Sequence, residues 1–109
     1  MGNELLPGTL DLLILKTLAR GTMHGYGIAQ HLKIVSEEVL EVGESSLYPA
    51  LQRLLRERWV VADWGISARN RQVRTYKLTP AGRKQLEREI AGFDRLIAGI
   101  GRVIRPVES

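Results

Sequence analysis

Apolar positions in the first 43 residues predict two helices separated by a glycine-rich turn. The segment from Leu10 to about Arg20 is apolar on nearly all sides, and Thr9 fits an N-cap before it. A surface helix of a monomer usually shows a polar half, so we expect this helix to contact both its own core and a second subunit. A second helix is expected from His24 or Gly25 to Val35, and residues 36–43 could hold a short strand.

The middle of the chain predicts a helix followed by a β-hairpin. Leucines at positions 47, 51, 54 and 55 form a buried stripe, so a third helix should begin near Ser45 or Ser46. Residues 59–64 and 73–78 are expected to form two paired strands joined by a loop over 65–72, with Trp59 and Trp64 packed in the core. Thr79 should then cap a last helix that has Pro80 at its first position.

The last helix carries a heptad pattern of apolar residues. Their spacing is 4,3,4,3,4, and they are Leu86, Ile90, Phe93, Ile97, Ile100 and Ile104. Such a pattern predicts packing against another helix. Because the first three helices and the hairpin already fill one small core, we expect these six residues to form the interface of a homodimer rather than to fold back on their own chain.

This order of elements predicts a mainly α fold with a small β-hairpin. A helix followed by a strand, a basic loop and a second strand is the layout of a winged helix-turn-helix. The 109 residues suffice for one structural unit. Within it we assign residues 1–79 to a winged helix-turn-helix DNA-binding domain and residues 80–109 to a C-terminal dimerisation helix.

Charge is concentrated in the predicted helix and hairpin. Residues 44–88 carry ten Lys/Arg and four Asp/Glu, a net charge of +6, whereas residues 1–43 have a net charge of −2 and residues 89–109 are neutral. The excess charge of this +4 chain therefore lies in the segment that would touch phosphates. Double-stranded DNA is the partner that this distribution favours.

Eleven residues of this segment are candidate DNA contacts. Hydroxyls and helix N-terminal amides suit phosphates, whereas Gln and Arg suit base edges. The third helix supplies Ser45, Ser46, Tyr48, Pro49, Gln52, Arg53 and Arg56, and the wing supplies Arg69, Asn70, Arg71 and Arg74. The competing interpretation is an ordinary solvated helix face and hairpin tip.

Several other classes of function are disfavoured by the sequence. The chain has no cysteine, and His24 and His31 lack a third ligand at suitable spacing, so we expect no metal site and take both histidines as structural or surface residues. We find no nucleophile–base pair or phosphate-binding glycine loop, so neither catalysis nor a cofactor is expected. The apolar run from Leu10 to Leu18 is too short to span a bilayer, and we expect a cytoplasmic protein.

Three motifs in order resemble the PadR family of bacterial transcriptional regulators. They are His24-Gly25-Tyr26, then Ser46-Leu47-Tyr48-Pro49-Ala50-Leu51, then Tyr76-Lys77-Leu78-Thr79. The resemblance covers nearly the whole chain and implies a winged-helix dimer that binds a pseudo-palindromic operator, usually as a repressor. The single last helix resembles the short subfamily. The resemblance leaves open a small-molecule effector of unknown identity.

Two positions depart from the family pattern, and two other functions compete with this one. Glu44-Ser45 stands where relatives commonly have a small residue and glycine, and Trp59 replaces a frequent glycine.

The alternatives to a sequence-specific regulator are a winged-helix protein-interaction module whose basic face meets an acidic partner, and a non-specific nucleic-acid binder. A steep salt dependence together with resistance to competitor DNA would single out specific DNA binding.

Overall fold

The computed structural model describes residues 7–107 and shows a mainly helical fold with a small antiparallel sheet, as predicted. Its elements are α1 (Pro7–Leu18), β1 (Met23–His24), α2 (Gly25–Val35), α3 (Glu44–Arg56), β2 (Val60–Ile66), β3 (Gln72–Leu78) and α4 (Pro80–Ile104). The outer ends of the two predicted ranges, residues 1–6 and 108–109, lie outside the described residues.

The sheet has three strands in the order β1-β3-β2. β2 and β3 form the expected hairpin, with Val60 opposite Leu78 at its base. The two-residue strand β1 was not predicted and pairs with the other edge of β3. The strand expected within 36–43 is absent, since the backbone at Glu37 and Glu38 adopts positive φ angles of 54° and 69°, which an extended strand does not allow.

Helix α1 lies at the centre of the fold. It begins at Pro7 rather than after Thr9, because proline loses little in the first turn of a helix. It contacts α2, α3, α4 and β3, and Ile14 and Leu15 are fully buried. Packing within one chain therefore explains why this helix is apolar on nearly all sides, and its contact with a second subunit stays a prediction.

The core joins the helices to the base of the hairpin. α3 contributes its buried stripe, which consists of Leu47, Ala50, Leu51 and Leu54, and the hairpin contributes Val60, Tyr76 and Leu78. Trp59 packs against this cluster, as expected. The same expectation is wrong for Trp64, whose side chain is 63% exposed because it lies where the hairpin extends beyond the helices.

Helix α4 is fastened to the base of the hairpin at its first turn. The Gly82 N–H donates to Thr79 Oγ1 (3.0 Å), which confirms Thr79 as the N-cap. The Thr79 hydroxyl in turn donates to the Arg58 carbonyl (2.8 Å), and the Thr79 N–H donates to the Trp59 carbonyl (3.0 Å). These bonds fix the direction in which α4 leaves the hairpin.

Candidate nucleic-acid interface

Helix α3 presents a polar and cationic face to solvent. Its apolar stripe is buried, and the opposite side exposes six of the residues predicted to contact DNA: Ser45, Ser46, Tyr48, Pro49, Gln52 and Arg56. Hydroxyls lie at the first turn, whereas Gln52 and Arg56 lie further along. One helix face thus combines groups suited to phosphates with groups suited to base edges.

The first turn of α3 has no side-chain cap. Its N-cap is Gly43, whose carbonyl accepts the N–H groups of Ser46 (3.1 Å) and Leu47 (2.9 Å). The amides at the start of a helix have no intrahelical acceptor, and the positive end of the helix dipole favours an anion there. This end of α3 is therefore suited to a phosphate, although Glu44 adds a negative charge beside it.

Arg53, which the sequence prediction placed on the DNA-facing side, also binds helix α1. Its Nη2 lies 2.9 Å from Asp11 Oδ1 on α1, and its Nε lies 3.4 Å from Oδ2 of the same carboxylate. The hydrogen bond with Asp11 raises the pKa of Arg53, with the carboxylate charge adding to that rise against the effect of burial. Because its Nε and Nη2 groups both donate to Asp11, Arg53 links α3 to α1.

Helix α2 supports α3 through a close contact between their first turns. A methyl group at Gly25 would lie 3.3 Å from the ring of Tyr48, which is tighter than ordinary packing. His24 precedes this contact, and its Nδ1 accepts the Gly27 N–H (3.0 Å) as the N-cap of α2. His24 thus has the structural role that the sequence suggested, and α2 and α3 form a helix-turn-helix pair.

The tip of the hairpin is organised by one serine. The Ser67 hydroxyl accepts the N–H groups of Arg69 (3.3 Å) and Arg71 (3.2 Å), and the Ser67 carbonyl accepts the N–H of Asn70 (2.9 Å). Asn70 adopts a φ of 58°, which asparagine tolerates better than most residues. Two exposed arginines and an amide therefore project from an ordered loop, whereas Arg74 lies further down β3.

The heptad residues of α4 divide into two groups. Leu86 is only 5% exposed and Ile90 packs against the core, so the prediction that Leu86 lies in an interface between subunits is wrong. The exposed group consists of Phe93, Ile97, Ile100 and Ile104, and it also includes Leu96 and Val103, which the heptad spacing missed. Within residues 7–107, the second half of α4 therefore carries an apolar surface that no other part of the structure covers.

Two further properties concern residues 7–107. None of the helices there combines the length and apolar character needed to cross a membrane. Within the same residues, no three His, Asp or Glu side chains cluster in a way that could hold a metal ion.

Comparison with known sequences identifies a regulator family. Residues 14–88 match the model of the PadR-like family of transcriptional regulators. An uncharacterised 37.1 kDa transposon protein of Streptomyces fradiae is 42% identical over 86 residues, which are 79% of this chain and 23% of that protein. The chain thus spans about a quarter of that relative. A protein of Lysinibacillus sphaericus is 25% identical over 77% of each chain.

Solved structures with the same fold include regulators of this family. A Clostridium thermocellum transcriptional regulator superposes with a TM-score of 0.83 at 24% identity, covering 90% of this chain and 95% of that one. A PadR-like transcription factor of Bacteroides fragilis gives 0.73 at 28% identity, covering 89% and 91%. Bacillus subtilis PadR in complex with operator DNA gives 0.67 at 26% identity, covering 75% and 47%. Because the family model matches residues 14–88, which is more than half of the chain, the chain belongs to the PadR-like family of transcriptional regulators, which are DNA-binding proteins and not enzymes.

Proposed function

We propose that this protein is a homodimeric repressor that binds an inverted-repeat operator in double-stranded DNA. The observation that carries the proposal is the exposed polar and cationic face of α3 beside an arginine-tipped hairpin. The complex of the related Bacillus subtilis PadR with operator DNA supports this assignment. Residues 1–79 would bind DNA and residues 80–109 would hold the dimer together, and a DNA partner implies work in the cytoplasm.

Helix α3 and the hairpin have different tasks in this proposal. α3 enters the major groove, where Gln52 and Arg56 reach base edges and the first-turn groups hold phosphate. The proposed contacts from α3 are Ser45, Ser46, Tyr48, Pro49, Gln52 and Arg56. The hairpin acts as the wing: Arg69, Asn70 and Arg71 at its tip, with Arg74 behind them, contact the adjacent minor groove or its phosphates.

The second half of α4 forms the dimer interface in this proposal. The 25 residues of α4 make a helix about 37 Å long, whereas the core formed by the described residues packs against it as far as Ile90. The exposed surface beyond consists of Phe93, Leu96, Ile97, Ile100, Val103 and Ile104. A contiguous apolar face of this kind is expected to be covered by another protein surface, and a second copy of α4 offers the same apolar face.

Selection of bound DNA from a random library tests the DNA-binding function. A two-fold dimer should select an inverted repeat whose half-site centres lie about 10 or 20 base pairs apart, so that both α3 helices reach one face of the duplex. Inserting about five base pairs between the half-sites should abolish tight binding, because it turns one half-site to the opposite face.

Three outcomes would contradict this proposal in different ways. A selected motif without inverted symmetry would contradict the dimeric geometry. Equal affinity for the selected site and scrambled DNA at matched salt would indicate a non-specific binder. Absence of DNA binding would favour the protein-interaction module instead.

Replacement of Ile97 by glutamate tests the dimer. Ile97 is 50% exposed in one chain and should become buried in the dimer. Removing one buried isoleucine from each subunit costs roughly 3–6 kcal/mol per dimer, which raises the dissociation constant by roughly two to four orders of magnitude. Sedimentation at micromolar concentration should then show a monomer.

The matched control is Val39→Glu, which places the same charge at an exposed apolar residue outside α4. This variant should remain dimeric. A wild-type protein that sediments as a monomer at micromolar concentration would contradict the assignment of α4, and so would an Ile97→Glu variant that stays dimeric.

A further inference from the structure

The wing carries an exposed tryptophan paired with an arginine. Trp64 on β2 lies directly opposite Arg74 on β3, and its side chain is 63% exposed. The Arg74 guanidinium carbon lies 5.9 Å from the centroid of the indole ring, within the range of a cation–π interaction. Tryptophan and arginine are enriched among the residues that contribute most to protein–protein binding, so this exposed pair is a candidate contact surface.

Register places this pair on the same side of the hairpin as α3. Alternate residues of a strand share a face. Trp64 therefore shares a face with Val60, and Arg74 shares it with Tyr76, whose side chain is buried with that of Val60 against the helices. The pair occupies the part of this face that extends beyond the helices toward the wing tip.

Tyr76 connects this pair to helix α3. Burial raises the pKa of the Tyr76 phenol, the Arg74 charge opposes that rise, and Tyr48 adds to it. Tyr48 on α3 and Arg74 on the wing are therefore both within electrostatic reach of one phenol. Tyr76 itself is buried, so the exposed part of this face consists of Trp64 and Arg74, which lie on the two strands that the loop with the tip arginines joins.

We propose that Trp64 and Arg74 together bind the DNA backbone between the base contacts of α3 and the wing tip. The indole packs against a deoxyribose, while stacking holds the Arg74 guanidinium with its N–H donors free to reach the adjacent phosphate. The occupant is DNA because the pair lies on the same hairpin as the proposed contacts Arg69 and Arg71 and carries positive charge at Arg74. This inference rests on the proposed function.

Replacement of Trp64 by alanine tests the proposal. Losing the stacking contact and the support of Arg74 should weaken binding about fivefold or more. The loss should be equal on the operator and on scrambled DNA, since backbone contacts carry no sequence information. The slope of affinity against salt should fall by about one phosphate contact. Trp64→Phe should retain most of the affinity.

The control is Val61→Ala, which removes an exposed apolar side chain from the opposite face of the same strand. Its affinity should match that of the wild type. A double-mutant cycle measures whether the pair acts together: Arg74→Gln should weaken binding less in the Trp64→Ala background than in the wild type. Additive losses would overturn the joint contact.

Fluorescence separates a direct contact from a folding effect. The difference in acrylamide quenching between wild type and Trp64→Phe reports on Trp64, and operator DNA should protect it. An unprotected Trp64 in the complex would overturn the inference, as would unchanged affinity of Trp64→Ala while wild type binds the operator. If wild type binds no DNA, the proposed function itself fails and this inference fails with it.

Discussion

Gly82 is the position where a single methyl group should disturb the junction between α4 and the wing. A Cβ atom there would overlap the carbonyl oxygen of Trp59 and lie 2.8 Å from Cδ1 of Leu78. The carbonyl cannot withdraw freely, because it also accepts the Thr79 N–H at 3.0 Å. Gly82→Ala therefore forces a shift of backbone rather than of a flexible side-chain end.

The expected loss of stability follows from three contributions. Accommodating an extra methyl group in a packed site costs about 1–3 kcal/mol. Weakening the bond from Thr79 to Trp59 adds about 0.5–1.5 kcal/mol. Alanine is a better helix former than glycine by about 1 kcal/mol, which opposes both effects. The net destabilisation of Gly82→Ala should be roughly 0.5–3.5 kcal/mol.

Urea and thermal unfolding at a fixed protein concentration measure this loss, since the stability of a dimer depends on concentration. The melting temperature should fall by about 2 °C or more. Gly8→Ala is the control, because a Cβ atom there has no neighbour within 4 Å among residues 7–107 and the position is also helical. It should be neutral or stabilising. A Gly82→Ala variant as stable as the wild type would show that the close packing described at this junction is wrong.

Two further predictions concern helix α3. Asp11→Asn and Arg53→Gln should each lower the free energy of unfolding by about 0.5–1.5 kcal/mol. The double variant should lose little more stability than either single variant. Strictly additive losses would show that the two side chains are not coupled. Glu44→Gln removes a negative charge beside the proposed phosphate, so it should tighten binding to both operator and scrambled DNA a few-fold. It should also cost about 0.3–1 kcal/mol of stability, because an acidic residue at a helix N-terminus is favourable. Weaker DNA binding would contradict the position of Glu44 beside phosphate.

The parts of the fold that the sequence predicted depend on local signals. The apolar stripe of α3 lies at helical spacing, and the strands of the hairpin are bounded by a polar loop. Thr79 followed by Pro80 marks the start of α4, as the hydrogen bond from the Gly82 N–H shows. Each of these signals involves residues within one or two turns of each other, so no knowledge of tertiary structure was needed.

The parts that were missed depend on contacts between distant segments. Asp11 and Arg53 are 42 residues apart, and nothing near Arg53 distinguishes an arginine bound to α1 from one that faces DNA. Strand β1 has only two residues and exists because β3 offers a free edge. Trp64 follows the same alternation as the buried Val60. It is exposed because the hairpin extends beyond the helices at this point, which the sequence does not show.

In the proposed dimer, α4 connects the subunit interface to the DNA-binding elements of its own chain. Leu86 binds the first turns of α4 to the core, whereas Ile97 lies on the surface assigned to the partner. The Thr79 N–H donates to the Trp59 carbonyl and so fastens the same helix to the base of the wing. The angle at which two α4 helices cross therefore sets the distance between the two α3 helices, and with it the spacing of the half-sites. Since α4 is one uninterrupted helix, an altered junction at Gly82 should change the preferred half-site spacing as well as stability, whereas a substitution at the wing tip should change affinity alone.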